Sequence, residues 1–262
     1  MRPVRISAVC AVLTILLGVA ALVGWAIGIV ALRGFSDPML QMRPITATGL
    51  ILSGTALLLL TLSKGPLLSR VGYVLAFLVT ALGVSTLFDH LTGHTYSPDL
   101  GALFPEVGHL TYTQMVPASS VNFILKGLAL LCLNWETQKG RRPAQYLSVL
   151  SSIAPFQVLI AYTHGTHSLL SVGSNPYLTQ MALQTAVAWI LLSLGTLCAR
   201  PNAGFMKNIL AESHSGSAIR RMLVLAILVP IGLAWITQAA GQNEFYHPGF
   251  GASVFTLLSI IL

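Results

Sequence analysis

Charge is what this sequence has least of. Only 8% of its 262 residues are charged, and only seven are acidic. Soluble domains carry about a quarter charged residues, so this chain has too little to build a water-facing surface. With 55% hydrophobic residues and a mean hydropathy of +0.78 it reads as an all-α integral membrane protein. Cysteine is almost as scarce: Cys10, Cys132 and Cys198 each fall inside an apolar run. That argues against a disulfide framework and for buried, inert thiols. The P-loop, zincin, kinase and nucleophile-elbow motifs are also missing, so no catalytic residue and no enzyme activity are expected of this chain.

Seven apolar segments are long enough for membrane helices: Ala8 to Leu32, Ile45 to Leu62, Val71 to Phe88, Ser119 to Trp135, Tyr146 to Tyr162, Met181 to Ala199 and Met222 to Ile236. A partial eighth begins at Gly251 and reaches Leu262, short of the roughly twenty residues a span needs. The first segment has the arginines of a secretory signal but is too long for one, and reads as a retained anchor.

The net charge of +7 suggests nucleic acid until its distribution is read. When alternate loops are assigned to opposite sides, eleven of the fourteen basic residues gather with the N-terminus, only Arg33 and Arg43 fall on the other side, and Lys126 lies within a helix. The positive-inside rule then places the N-terminus in the cytoplasm of a bacterial inner membrane, with the lipid bilayer as partner and no nucleic acid. Most acidic residues and histidines fall outside.

Three runs look like copies of one another: MRPITATGLILSGTALLLL from Met42, MVPASSVNFILKGLALLCL from Met115 and MALQTAVAWILLSLGTLCA from Met181. The first two share nine of nineteen positions and the last two share seven. Apolar runs match by chance, so the weight falls on the three methionines, on Pro44 and Pro117, on Thr46, Ser119 and Thr185, and on Gly54, Gly127 and Ser193. Each copy is followed by a basic turn and a second apolar helix. The expected fold is therefore about seven complete transmembrane helices plus a partial eighth, built from three parallel helix-hairpin repeats. Its parts are residues 1–41 (first helix and outer loop), 42–114, 115–180 and 181–250 (the repeats), and 251–262 (start of the last helix).

Those phrases, with MALQTAVAWILLSLGTLCARPNAGFMKNIL and the run from Ser215 to Leu262, resemble the multi-pass N-terminal membrane region of bacterial sensor proteins. In that family the region precedes PAS, histidine-kinase or GGDEF output modules, as in two-component systems. The resemblance covers nearly the whole chain. It implies a signal-input role, an output module beyond Leu262, and a homodimer if that module is a kinase. It brings no catalytic residues. The YTHGTH run holding His164 and His167, along with His247 and Lys126, departs from the family pattern.

Two groups of residues are candidates for chemistry. Ser119, Asn122 and Lys126 fall at i, i+3 and i+7, with Lys126 about 10 Å deeper than Ser119 at 1.5 Å per residue. A lysine at that depth costs about 2.5 kcal/mol or more and must face protein or water, so the stripe is a candidate binding site for an unknown small ligand or a proton. A hydrated structural lysine is the alternative. His90 with His94, and His164 with His167, have spacings that place imidazoles on one helical face, and Asp89 or Glu244 are available to complete a divalent metal shell or a pH sensor. The bland alternative is a set of interfacial histidines that bond loops and headgroups, with no cofactor at all. Gly24 and Gly28 form a GxxxG pattern suited to close helix packing. The rival to a sensor is a small-solute or ion transporter or a membrane subunit, which requires a continuous polar path past Lys126.

Overall fold

The computed structural model describes residues 3–34, 41–63, 65–98, 100, 104, 115–138, 140–164 and 181–210. Among them all regular structure is helical: α1 (Pro3–Ile27), α2 (Val30–Arg33), α3 (Pro44–Leu62), α4 (Pro66–Thr92), α5 (Pro117–Leu131), α6 (Pro143–His164), α7 (Leu183–Ala199) and α8 (Gly204–Leu210). Proline opens α1, α3, α4, α5 and α6, where its missing N–H is one that a helix start leaves unpaired in any case. At the other end of α4, Gly93 takes the left-handed conformation (φ 73°) and closes the helix.

Helices α1, α3 and α4 are long and apolar enough to cross a membrane, and α5 and α7 are shorter apolar helices. The expected segments from Met222 and from Gly251 lie outside the described residues, as do residues 165–180.

One expected helix differs in shape. The apolar run Ala8 to Leu32 reads as continuous, yet α1 stops at Ile27, Gly28 adopts φ 78°, and α2 is a separate turn. The cause is Arg33, whose Nε donates to Gly24 O at 2.9 Å and whose guanidinium sits 4.2 Å over the Trp25 ring. A Cβ on Gly24 would lie 2.8 Å from Leu32 Cβ, so the GxxxG pair here serves a chain reversal.

The described helices form two layers around one axis. The inner three, α3, α5 and α7, touch one another, while α1 lies between α3 and α7, α4 between α3 and α5, and α6 between α5 and α7. Burial agrees: 61% of the apolar window of α3 is buried, against 33% for α1 and 28% for α4. The outer faces of α1 and α4 expose Leu16, Val23, Ile27, Val74, Phe77 and Val84, as a lipid-facing surface would.

The inner helices share a register. Met42, Met115 and Met181 are each almost fully buried, two residues ahead of the helix. Leu50, Phe123 and Trp189, each eight residues past its methionine, have no exposed surface, and the last two rings meet edge to face at 4.6 Å. Gly54 and Gly127 permit close crossing, since a Cβ on either would lie 3.0 Å from a carbonyl oxygen of the preceding outer helix (Ala11 or Ala76). At the corresponding place on α7, the Ser193 hydroxyl lies 3.4 Å from that of Ser151 on α6.

Candidate functional site

Lys126 lies on α5 with no exposed surface, and its Nζ donates to Ser193 Oγ on α7 at 3.0 Å. An ammonium has three donors, and this is its one protein acceptor among the described residues. Its neighbours supply more donors rather than a counter-charge. Asn122, one turn toward the helix start, has an unpartnered Nδ2, while Trp189, one turn above Ser193, has an unpartnered Nε1. On α6, Ser151 Oγ donates to Ser148 O at 3.0 Å, and the Ser148 hydroxyl has no partner. All of these side chains are at least 97% buried.

Buried donors without acceptors cost about 1–3 kcal/mol each, more when charged. The cluster between α5, α6 and α7 thus holds three buried groups without partners, Asn122 Nδ2, Trp189 Nε1 and the Ser148 hydroxyl, which water or an acidic ligand could satisfy. It also extends along α6: Ser151, Ser148 and Gln145 recur at every third residue, all buried, and Gln145 Nε2 donates to Ala203 O at 2.9 Å. With Ser119, Asn122 and Lys126 on α5 they form a polar seam along the inner bundle. Sequence reading found the α5 half. It missed the α6 half because serines in an apolar helix carry no signal until a partner is known.

Ser119 ends up apart from Lys126, at the opening of α5. There it lines a small cavity together with Thr46 of α3 and Thr185 of α7.

The histidines fall into several settings. His90 Nε2 lies 2.6 Å from Met115 O. The carbonyl can only accept, so Nε2 carries the proton in this contact. Asp89 is buried and accepts from the backbone N–H groups of Tyr96 (2.6 Å) and Ser97 (3.0 Å), folding the loop back over the end of α4. His94 lies beyond Gly93, exposed and edge-on to Tyr96, so it does not share a helical face with His90. His164 is the last residue of α6 and its side chain is not among those described; His167 and Glu244 lie outside the described residues. No group of three or more metal-ligating side chains occurs among the described residues.

The His90 contact belongs to a set. Trp25 Nε1 donates to Met42 O at 2.8 Å, and Tyr162 Oη donates to Met181 O at 3.5 Å. Each methionine is buried just before its helix begins, so its carbonyl lies outside the helical ladder and needs another donor. In all three cases that donor is a ring at the far end of the preceding outer helix. The separations along the chain are 17, 25 and 19 residues, which is why no fixed spacing reveals the pattern.

The opposite ends of the inner helices are held differently. Arg200 donates through Nη2 to Leu60 O and through Nη1 to Ala199 O, both at 3.1 Å, while Arg142 Nη1 reaches Leu133 O at 3.2 Å. Terminal carbonyls of this kind lack intrahelical partners and carry the negative end of the helix dipole. Arg200 also grips Asn134 Oδ1 (2.8 and 3.1 Å), whose Nδ2 donates to Tyr73 Oη at 2.9 Å, and Arg142 pairs with Glu136 at 2.9 Å. Burial, and after it the nearby Arg142, lowers the pKa of Arg200 from the ordinary arginine value.

No family model, curated protein or solved structure matches this chain.

Proposed function

We propose that this chain is the membrane-embedded signal-input module of a bacterial signalling protein. Seven spans in three parallel repeats would cross the inner membrane from a cytoplasmic N-terminus, and a cytoplasmic output module would follow. The observation that carries the reading is Lys126: a buried ammonium with one hydroxyl acceptor, surrounded by unpartnered donors. Such a cluster favours two packings, one dry and one with acceptors supplied, and any ligand that supplies them shifts the balance between the two. The shared register of the inner helices and the resemblance of nearly the whole chain to sensor regions support the same conclusion.

The test joins a histidine-kinase module behind Leu262 and reads autophosphorylation in proteoliposomes. Lys126→Met is expected to raise unfolding stability by about 1–4 kcal/mol, because an apolar side chain of similar volume replaces an unpaired charge. It is also expected to lock the kinase at one level across stimuli. A stabilised variant whose output still responds like the parent would sink the proposal.

A second reading, a proton or small-solute transporter, is favoured by the polar seam from Ser119 past Lys126 to Gln145. Flux into proteoliposomes carrying the chain without any output module, abolished by Lys126→Met, would establish transport in place of sensing.

A further inference from the structure

Four exposed side chains of α6, Tyr146, Val149, Leu150 and Ile153, line an open apolar groove of about 380 Å³. They follow one another at helical steps, so the groove runs along one face of the helix. Arg142, four residues ahead of Tyr146, continues that face just before the helix begins. From Arg142 to Ile153 the chain climbs eleven residues, about 16 Å at 1.5 Å each. That is close to the depth of one leaflet of a hydrocarbon core about 30 Å thick.

The foot of the groove is basic. Arg141 is exposed, and its hydrogen bonds, all to Thr137, run through its backbone, which leaves the guanidinium without a partner among the described residues. Lys207 is exposed and equally unpartnered there. It belongs to α8, whose first residue, Gly204 (φ 64°), packs so closely on the start of α6 that a Cβ would lie 3.3 Å from Arg142 Cβ. Arg142 and Arg200 add two more cations. Arg142 pairs with Glu136, the one acidic side chain at this end among the described residues, while Arg200 binds the neutral oxygens of Asn134, Leu60 and Ala199. Four cations against one carboxylate leave an excess of positive charge. Trp135, next to Glu136 in the turn after α5, is 61% exposed, as rings at headgroup level are.

We propose that this end of α6 binds one anionic phospholipid, with its headgroup phosphate against Arg141 and Lys207 and one acyl chain in the groove. Basic residues beside an apolar surface at the membrane boundary favour anionic lipids. A zwitterionic lipid fills the groove without answering the excess charge, and a soluble phosphate does the reverse. A second helix laid in the groove would leave the cations unanswered. The site rests on the bundle lying in a membrane, and it is separate from the Lys126 cluster and from the signalling role.

The experiment follows thermal unfolding of the full chain in mixed micelles while phosphatidylglycerol replaces phosphatidylcholine at constant total lipid and salt. A ligand of the folded state alone raises stability in a saturable way, and phosphatidylglycerol is expected to do so. Arg141→Gln with Lys207→Gln is expected to weaken half-saturation about tenfold or more; both side chains are exposed, so the fold should tolerate the change. Val149→Trp fills the groove and should weaken half-saturation with no change of charge. Arg5→Gln with Arg70→Gln removes the same charge from the starts of α1 and α4, away from the groove, and should leave half-saturation unchanged, as should Lys126→Met. Equal midpoints in the two lipids, an equal loss from both charge pairs, or the same stabilisation from inorganic phosphate alone would overturn the proposal.

Discussion

The two ends of the inner three-helix layer are tied down by different chemistry. At one end, ring donors (Trp25, His90 and Tyr162) each bind the carbonyl of the methionine that leads into the next inner helix. At the other, arginines bind terminal carbonyls, and Arg200 alone joins α3, α7 and the turn after α5. The first arrangement is local: each latch holds one outer helix to one inner helix. The second crosses between pairs. A disturbance at the latched end can therefore move one pair by itself, whereas at the clamped end any movement is shared. The proposed signal-input role would make use of that asymmetry, with a stimulus taken in at one face and delivered as a shared shift at the other.

The comparison breaks most readily at Arg200. Arg200→Ala strands Leu60 O, Ala199 O and the Asn134 carboxamide together. Charge-assisted hydrogen bonds contribute about 1.5–3 kcal/mol each, so a loss of about 3–5 kcal/mol is expected, since stranded carbonyls near the helix ends recover some water. Denaturant unfolding in mixed micelles measures it. Arg200→Lys should recover less than half, because one ammonium cannot reproduce a planar fork that spans two helices. If lysine restores full stability, Arg200 acts only as a point charge near three helix dipoles, and the crosslinking half of the comparison falls.

Some of this was legible in the residues and some was not. The starts of α3 and α5 were readable from Pro44 and Pro117, and the burial of Lys126 from its depth in an apolar run. The break at Gly28 was not, because hydropathy runs on unbroken through Ile29 to Leu32 and the cause is a side chain folding back: Arg33 onto Gly24 and Trp25. The partner of Lys126 was hidden for a related reason, since Ser193 is 67 residues away and sits in a helix where serine is unremarkable. The i, i+4 spacing of His90 and His94 was plain, but a shared face requires helix at both, and Gly93 ends it between them. Local periodicity shows where helices run. It does not show which loop carbonyl a distant ring must satisfy.

At the latched end the expected effects are smaller and separable. Trp25→Phe keeps the ring over which Arg33 stacks and deletes the N–H bound to Met42 O at 2.8 Å. A buried carbonyl left without its donor costs about 1–3 kcal/mol, and amide exchange should rise in the first turn of α3 while α5 and α7 stay protected. Equal loosening of all three helices would mean that the latches are coupled, contrary to the local reading.

The smallest expected effect concerns coupling itself. Tyr162→Phe removes a longer contact, 3.5 Å to Met181 O, and should cost under about 1 kcal/mol given how steeply hydrogen bonds weaken with length and misalignment. Its value lies in combination. Trp25 and Tyr162 serve different helix pairs and bind different methionine carbonyls, so the double variant should equal the sum of the singles within about 0.5 kcal/mol. Arg200→Ala with Arg142→Ala should miss additivity by more than that, because the two cations lie close enough for Arg142 to lower the pKa of Arg200 and removing one relieves the other. Additive latches beside non-additive arginines would separate the two ends experimentally. Equal coupling at both would reduce the contrast to a difference in donor chemistry alone.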